Sequence, residues 1–196
     1  MLQHIRPAIV MTVLFTGLLG LGYPLAMTGV AGVAFPDQAG GSLLRDGGGR
    51  VIGSALIAQG FAKPEYLHPR PSAAGNGYDP MSSGGSNLGP LDKKLIDRVA
   101  GDAAAIKKDN GVDTVPADAV TTSASGLDPD VSPENARMQT ARIAARRGVS
   151  AGDVQGLVEA HTTGPLLGFI GQPAVNVLAV NRALDARFPM AHLKAP

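Results

Sequence analysis

The chain has 196 residues, with 17 lysines and arginines against 16 aspartates and glutamates and a net charge of +1. This balance provides no basic surface for nucleic acid, so no nucleic-acid partner is expected. Cysteine is absent, which excludes disulfides, zinc–thiolate sites and thiol catalysis.

An apolar run from Pro7 to Pro36 dominates the N-terminal part of the chain. It follows a short start in which Arg6 is the only arginine, and it contains no ionisable side chain except Tyr23. About 20 apolar residues cross the hydrocarbon core of a bilayer as a helix, so the run predicts a membrane-spanning helix in contact with lipid. The Gly22-Tyr23-Pro24 segment predicts a kink or an end of this helix near the far interface.

Two interpretations of the run remain open. A secretory signal peptide also has a basic start and an apolar core, and the small residues between Gly29 and Ala34 are typical of a cleavage site. An uncleaved anchor better explains the length, which exceeds the usual signal core of about 7–15 residues. In both cases the N-terminus is expected to stay in the cytosol, because Arg6 precedes the run and the next basic residue is Arg45.

We divide the chain into three parts. Residues 1–36 form the cytoplasmic start and the transmembrane anchor, in which the small residues Thr16, Gly17 and Gly20 would allow another helix to pack closely. Residues 37–50 form a glycine-rich linker. Residues 51–196 form a single extracytoplasmic domain, which is expected to be rich in loops because the chain has 26 glycines and 15 prolines. The predicted fold class is α+β, with about four helices and a small sheet in this domain.

The elements of this domain are predicted from periodicity, caps and breakers. Gly111 and Gly148 suit helix C-caps, and Ser132 followed by Pro133 and Glu134 marks a helix start. In chain order we predict a buried strand over 51–59, a long loop over 61–90, a helix over 90–110, a loop over 122–129, a helix over 132–147, a helix opening at 150, a strand over 171–177 and a closing helix over 179–188.

No catalytic constellation is found. The chain has neither a P-loop nor a Gly-x-Ser-x-Gly nucleophile elbow. The four histidines show no spacing that is typical of metal ligands; they are His4, His68, His161 and His192. Pro129 separates Asp128 from Asp130, which favours a turn rather than a pair of acid–base carboxylates. We therefore predict no catalytic residue and no metal site.

Two polar features are candidates for binding. Asn135, Gln139, Arg142 and Arg146 share one stripe of a predicted helix, which is either a solvated face or a contact surface. The loop from Ser83 to Asn87 presents small polar residues whose backbone N–H groups would cradle an anion, unless it is only a surface turn.

His68 and Arg70 flank Pro69 and form a third candidate feature. The fixed geometry of the proline suits a grip on the carboxylate of a partner. A local staple between loops is an equally good explanation, and the sequence leaves the two open.

Six segments in order carry a resemblance to a known family. On them the chain resembles the C subunit of the bacterial Kdp-type potassium-transporting P-type ATPase, over essentially its whole length. Two positions depart from the family pattern, since Ala58 stands where glycine is usual and Pro69 where glycine is common. The segments are Tyr23 to Leu25, Gly53 to Ile57, His68 to Ala73, Ser83 to Asn87, Ser123 to Asp128 and Gln172 to Val177.

The resemblance implies a non-catalytic accessory subunit with one transmembrane helix in the bacterial cytoplasmic (inner) membrane. Its partners would be a channel-like potassium-binding subunit, a P-type ATP-hydrolysing subunit and a small single-helix subunit. The family is described as a catalytic chaperone that raises the affinity of the pump for ATP. No tightly bound cofactor is implied, and ATP is expected only through the complex.

The resemblance also bears on individual residues. Ser83-Gly84-Gly85 resembles part of the signature by which transporter ATPases of another family touch nucleotide, which makes Ser83, Gly84, Gly85, Ser86 and Asn87 the candidates for a nucleotide contact. The charge rule places this loop outside the cell, where ATP is absent. We therefore favour a capping role on the outer face of the potassium-binding subunit. The expected partner contacts are His68, Arg70, Ser123, Ser125, Asp128, Gln139 and Arg142.

An alternative function is a secreted or anchored extracytoplasmic binding domain without a transport role. It follows from the signal-peptide interpretation of the apolar run, which would release the domain. Loss of about 30 N-terminal residues would support only this alternative.

Overall fold

The computed structural model describes residues 2–190, so that His192 lies outside the described range. The chain divides into two compact units, of which the first ends at Ser54 and the second begins at Ala55. The α+β class is confirmed, with one long apolar helix near the N-terminus and two small sheets. The predicted domain limits at residues 36 and 50 stay predictions. The two compact units divide between Ser54 and Ala55.

The first unit contains a continuous helix from Ile5 to Ala34, which is 30 residues long and includes an 18-residue stretch with a mean hydropathy of 1.8. It comprises α1 (Ile5–Phe15), a π-helical stretch (Thr16–Gly22) and α2 (Tyr23–Ala34), and none of their side chains is buried within the chain. At 1.5 Å per residue its length is about 45 Å, against about 30 Å for the hydrocarbon core. The helix is thus long and apolar enough to cross a membrane.

Pro24 does not end this helix, so the alternative of an end near Gly22 is wrong. Proline lacks an N–H, and in a regular α-helix its ring would clash with the carbonyl of Gly20. The chain before it winds into wider π-turns, in which the N–H of Tyr23 donates to the carbonyl of Leu18. Such a turn accommodates the proline without breaking the helix.

The first unit ends in a β-hairpin. The short helix α3 (Pro36–Ala39) leads into β1 (Leu43–Arg45), which pairs antiparallel with β2 (Val51–Ser54). The Asp46 carboxylate accepts the N–H groups of Gly48 (3.0 Å) and Arg50 (2.9 Å) and closes the turn. The predicted buried strand over 51–59 is therefore too long, because β2 stops at Ser54 and only Ser54 in it is buried.

The second unit contains five helices among the residues that the structure describes. The predicted C-caps are confirmed, since Gly111 and Gly148 adopt left-handed φ angles of 65° and 68°. The first of these helices begins at Lys93 rather than Pro90, because the Asp92 carboxylate accepts the N–H of Lys94. The helices are α4 (Lys93–Asn110), α5 (Ala117–Val120), α6 (Pro133–Arg147), α7 (Ala151–Ala160) and α8 (Val177–Arg187).

A three-stranded antiparallel sheet completes the second unit. Its central strand β5 (Ala174–Asn176) lies between β3 (Asp130–Val131) and β4 (Thr162–Thr163). The core lies between this sheet and helices α6, α7 and α8. Its buried side chains are Leu67, Val131, Ala136, Ile143, Ala144, Val154, Leu157, Val158, Val175, Val177, Val180 and Leu184.

Helix α4 packs less deeply than its apolar periodicity predicts. It contacts α5 and α6, but none of its residues is buried. Leu91, which precedes the helix, is 91% exposed, and Ile96 is 53% exposed. The apolar side of α4 is therefore only half-buried within this chain.

Candidate functional site

Two buried amide side chains fix the loop that carries His68 and Arg70. The Asn181 amide accepts the N–H of Leu67 (2.8 Å) and donates to its carbonyl (2.9 Å). The Gln139 amide does the same for His68, at 2.8 and 3.1 Å. Each amide thus pairs with one residue of the loop as a neighbouring β-strand would. The loop is ordered although it contains no regular secondary structure.

Arg142 adds a charged contact to the same loop. Its guanidinium donates to the carbonyls of Pro64 and Tyr66, to Gln139 Oε1 (2.6 Å) and to Asn110 Oδ1 (3.0 Å). Burial lowers the pKa of Arg142 to about 10, so it remains positively charged at neutral pH. The side chain that the sequence offers as a partner contact therefore links α6, α4 and the loop within the second unit.

His68 lies beside Arg142 at the edge of a groove. Its Nε2 is 3.0 Å from the carbonyl of Lys63 and 3.5 Å from the Arg142 guanidinium. Burial, and secondly the charge of Arg142, hold the pKa of His68 below its usual value of 6.5. The groove has a volume of about 550 Å³ and is lined by Ala62, Pro64, His68, Asp109, Arg142, Ala145 and Arg146.

The polar stripe on α6 is buried at its N-terminal end and exposed at its C-terminal end. Asn135 and Gln139 are 1% and 4% exposed, and only Arg146 of the four is exposed. Gln139 donates to Asn135 Oδ1 (2.9 Å), and Asn135 donates to Asp118 Oδ2 (3.0 Å). The amide of Gln139 is thus used inside the unit, which corrects its assignment to a surface contact.

Arg147 of α6 also holds this loop, and the sequence analysis did not predict that role. Its side chain is fully buried, and it donates to the carbonyls of Glu65 (2.8 Å) and Phe188 (3.0 Å) and to Asp185 (2.8 Å). It also stacks over the ring of Tyr66, 5.0 Å from the centroid. In the sequence it is only a second arginine in the last turn of a helix, where basic residues are common, so no local signal distinguishes it.

Arg70 forms the local staple that the sequence leaves open. Its guanidinium donates to Asp128 Oδ2 at 2.8 Å and to the carbonyl of Thr121 at 3.4 Å. The other carboxylate oxygen of Asp128 accepts the N–H of Asp130, which confirms the predicted turn at Pro129. The carboxylate bound by Arg70 therefore belongs to this chain. In the neighbouring Asp130, burial raises the pKa of the carboxyl group, and a hydrogen bond from Asn176 opposes this effect.

The structure brings together the two polar loops that the sequence singled out separately. Ser83 Oγ and the N–H of Gly84 both donate to the carbonyl of Ser125, at 3.0 and 2.9 Å. Gly126 has a φ of +67°, and a Cβ there would lie 2.6 Å from the backbone N of Ala74 and 2.7 Å from the carbonyl of Gly84. We call residues 83–87 together with 123–126 the two-loop surface.

A half-buried tyrosine and a serine support this surface from below. Ser72 Oγ donates to the carbonyl of Gly126 (2.6 Å) and accepts the N–H of Tyr78 (2.8 Å). The Tyr78 hydroxyl donates to the carbonyl of Arg70 (2.7 Å), and burial raises its pKa to about 12. The two-loop surface and the Arg70–Asp128 pair are therefore held by one hydrogen-bonded network.

The predicted site residues fall into three groups. One is the two-loop surface, which contains Ser123 and Ser125; the second is the pair of Arg70 and Asp128; the third is the cluster of His68, Gln139 and Arg142. Thr16, Gly17 and Gly20 lie in the π-helical stretch of the N-terminal helix, with nothing within 4 Å of a Cβ placed at Gly17. Within residues 2–190 no three histidine or acidic side chains are placed to hold a metal ion.

The nucleotide prediction concerns the first group. Gly84 already donates its N–H to Ser125, so the anion cradle would have to use the remaining N–H groups of the loop. Ser83 and Asn87 are exposed, whereas Gly84, Gly85 and Ser86 are half-buried. A nucleotide contact at these five residues stays a prediction.

Comparison with known proteins gives one consistent result. A family model described as the K⁺-transporting ATPase c chain, KdpC, matches residues 5–186. A potassium-transporting ATPase KdpC subunit from Caulobacter vibrioides is 65% identical over 189 residues, which is 96% of each chain. Proteins of the same name from Beijerinckia indica and Rhodospirillum rubrum are 55% and 53% identical, over 100% and 98% of this chain and 100% of each relative.

Proposed function

Because the chain belongs to the KdpC family, the c chains of the K⁺-transporting ATPases, we propose that it is a non-catalytic accessory subunit of an ATP-driven potassium-uptake complex. Its partners are a channel-like potassium-binding subunit, a P-type ATP-hydrolysing subunit and a small single-helix subunit. The observation that carries the proposal is the match along residues 5–186, which includes both the anchor helix and the second unit.

The proposed topology is a single pass with the second unit outside. The helix from Ile5 to Ala34 is long enough to span, and Arg6 lies at its N-terminal end. Basic residues are retained on the cytoplasmic side of a spanning helix, and the next one after Arg6 is Arg45. The protein is then a single-pass protein of the inner membrane with its second unit in the periplasm.

We propose that the two-loop surface caps the outer face of the potassium-binding subunit. Hydrogen bonds order its backbone while Ser83, Ser125 and Asn87 remain exposed, so little conformational entropy is lost when a partner binds. Gln139 and Arg142 act behind this surface by fixing the adjoining loop. Their substitution would alter the complex only through that loop.

The effect on ATP is proposed to be indirect. With the second unit outside, residues 83–87 are separated by the membrane from cytosolic ATP. The subunit would raise the affinity of the hydrolysing subunit for ATP by stabilising the assembled complex. Ser86→Ala together with Asn87→Ala would then leave the KM for ATP unchanged in the complete complex, whereas a direct nucleotide contact would raise it.

The test of the accessory role is reconstitution of potassium uptake. Cells that lack this chain but contain the other three subunits should show no high-affinity uptake, and the complete chain should restore it. The chain without residues 7–35 should not restore uptake, and the purified full chain should not hydrolyse ATP. Restored uptake by the truncated chain would contradict the proposal, as would uptake without any form of the chain.

The alternative of a released binding domain makes a different prediction. Signal cleavage between Gly29 and Ala34 would shorten the mature chain by about 30 residues. The intact mass of the chain extracted from membranes distinguishes the two, because an anchored subunit keeps its apolar helix. A full-length mass together with restored uptake supports the subunit.

A further inference from the structure

The groove beside His68 carries positive charge. Its lining includes the guanidinium groups of Arg142 and Arg146, which lie one turn apart on α6, and the imidazole of His68. Among the described residues of this lining, Asp109 at the end of α4 is the one that carries a carboxylate. We infer that the groove binds a phosphate group, either inorganic phosphate or a phosphate monoester. The proposed subunit role neither requires nor excludes such a site.

The charge of Arg142 is not compensated by a carboxylate. Its guanidinium donates to four neutral acceptors, which are the carbonyls of Pro64 and Tyr66, Gln139 Oε1 and Asn110 Oδ1. One N–H of Nη2 is left over, and within residues 2–190 no carboxylate forms an ion pair with this side chain. Burial lowers the pKa of Arg142 to about 10, so its charged form is held at a cost in free energy. A bound anion would offset that cost, because a nearby opposite charge favours the charged form.

Arg146 supplies a second guanidinium to the same groove. Its side chain is exposed and forms neither a hydrogen bond nor an ion pair with another described residue. Like charges one turn apart on a helix repel each other, so the pair with Arg142 is unfavourable unless an anion lies between them. A concave site with low-dielectric walls strengthens the attraction for such an anion. The volume of about 550 Å³ leaves room for a phosphate group.

Charge favours a phosphate group over a carboxylate as the ligand. A phosphate monoester carries a charge of about −1.5 to −2 near pH 7 and has three acceptor oxygens, which suits two guanidinium groups. A carboxylate carries a single charge and would leave one of the two arginines uncompensated. Asp109 offsets part of the positive charge, but it is exposed and is not in ion-pair contact with Arg142 or Arg146. It therefore weakens the site without replacing the ligand.

Thermal unfolding of the full chain in detergent tests the site. The probes are inorganic phosphate, methyl phosphate and acetate at equal ionic strength, and the rise of the unfolding temperature with concentration gives a dissociation constant for each. We expect inorganic phosphate or methyl phosphate to bind at least about tenfold more tightly than acetate. Tighter binding of inorganic phosphate identifies the free ion as the source, and tighter binding of methyl phosphate identifies an ester. Equal stabilisation by all three probes, or by none, would overturn the inference.

Three substitutions separate binding in the groove from the general stabilisation of proteins by phosphate, which is excluded from their surface. Arg146→Gln removes the exposed guanidinium and should weaken phosphate binding at least about tenfold. Asp109→Asn removes the opposing carboxylate and should strengthen binding by about two- to fivefold. Arg137→Gln is the matched control, because Arg137 is an exposed arginine of α6 that does not line the groove. Equal effects of Arg146→Gln and Arg137→Gln on the dissociation constant would overturn the site.

The titration of His68 gives a second measurement that does not depend on stability. Burial, and secondly the charge of Arg142, lower its pKa, and the carbonyl of Lys63 and the charge of Asp109 oppose this effect. An anion beside the ring favours the imidazolium form, so saturating phosphate should raise the pKa of His68 in NMR titrations of the imidazole. The signal is assigned by its loss in the His68→Gln chain, and the rise should be absent in the Arg146→Gln chain. An unchanged pKa in the wild type, or an equal rise in both chains, would contradict a phosphate group in this groove.

Discussion

Replacement of Arg147 by methionine should destabilise the second unit strongly. The change removes hydrogen bonds to the carbonyls of Glu65 and Phe188, the ion pair with Asp185 and the stacking on Tyr66. Breaking a fully buried ion pair costs about 3–5 kcal/mol. Asp185 is 39% exposed and is partly rehydrated after the change, so we expect the free energy of unfolding to fall by about 2–4 kcal/mol.

The adjacent residue provides the control for this prediction. Arg146 lies on the same helix and is exposed, so Arg146→Met should change the free energy of unfolding by no more than about 0.5 kcal/mol. The measurement is urea unfolding of the full chain in detergent, followed by circular dichroism at constant pH. Equal effects of the two substitutions would refute the assignment of the loop's order to the buried guanidinium.

Three further predictions concern the turns, the titration and the anchor. Gly126→Ala places a Cβ 2.6 Å from a backbone nitrogen at a φ of +67°, so it should lower the free energy of unfolding by about 2–4 kcal/mol. Gly101→Ala has nothing within 4 Å of the added Cβ and should raise the free energy of unfolding by about 0.4–1 kcal/mol. Equal urea midpoints for the two variants would contradict this. Because the pKa of His68 is lowered in the folded chain, the unfolded chain takes up the proton first, and stability should be lost as the pH falls below 6.5. His68→Gln should flatten that loss in urea titrations at pH 7.5 and 5.5, and an unchanged slope would exclude His68 as its origin. Gly20→Ile should reduce recovery of the other subunits with the tagged chain by blocking close helix approach, while Gly29→Ile serves as the control, and equal recovery would remove Gly20 from the membrane contact.

The sequence predicted those parts of the fold that are determined locally. Ser132 caps α6 because its hydroxyl accepts an N–H three residues later, and Gly148 ends that helix because only glycine adopts its φ at low cost. The long apolar helix near the N-terminus followed from composition alone. These signals lie within a few residues of one another, so a pattern reveals them.

Contacts between residues that are far apart in the sequence could not be predicted from local patterns. The Asn181 amide meets Leu67 across 114 residues, and Gln139 meets His68 across 71. An amide in a helix resembles a surface residue until the loop that covers it is known, which is why the α6 stripe was predicted to be solvated or partner-facing. The sequence left a kink and an end at Pro24 open for a related reason, since a π-turn has no distinct sequence signature.

The sequence pointed to candidate residues but not to their arrangement. The loops at Ser83 and Ser125 were both identified, but their mutual hydrogen bonds depend on the close backbone approach at Gly126. The exposed apolar turn over residues 166–170 was not predicted, because a run of Leu-Leu-Gly-Phe-Ile is as typical of a buried strand as of an exposed turn.

The sidedness of the second unit is the claim on which the account depends most, and cysteine labelling measures it directly. The chain has no cysteine, so Leu91→Cys, at a residue that is 91% exposed, and Gln3→Cys, before the anchor, each introduce one reporter. We expect a membrane-impermeant maleimide to label the Leu91→Cys chain in sealed spheroplasts and the Gln3→Cys chain only after lysis. The reverse pattern would place the second unit in the cytosol, contradict the capping role and favour direct contact with ATP.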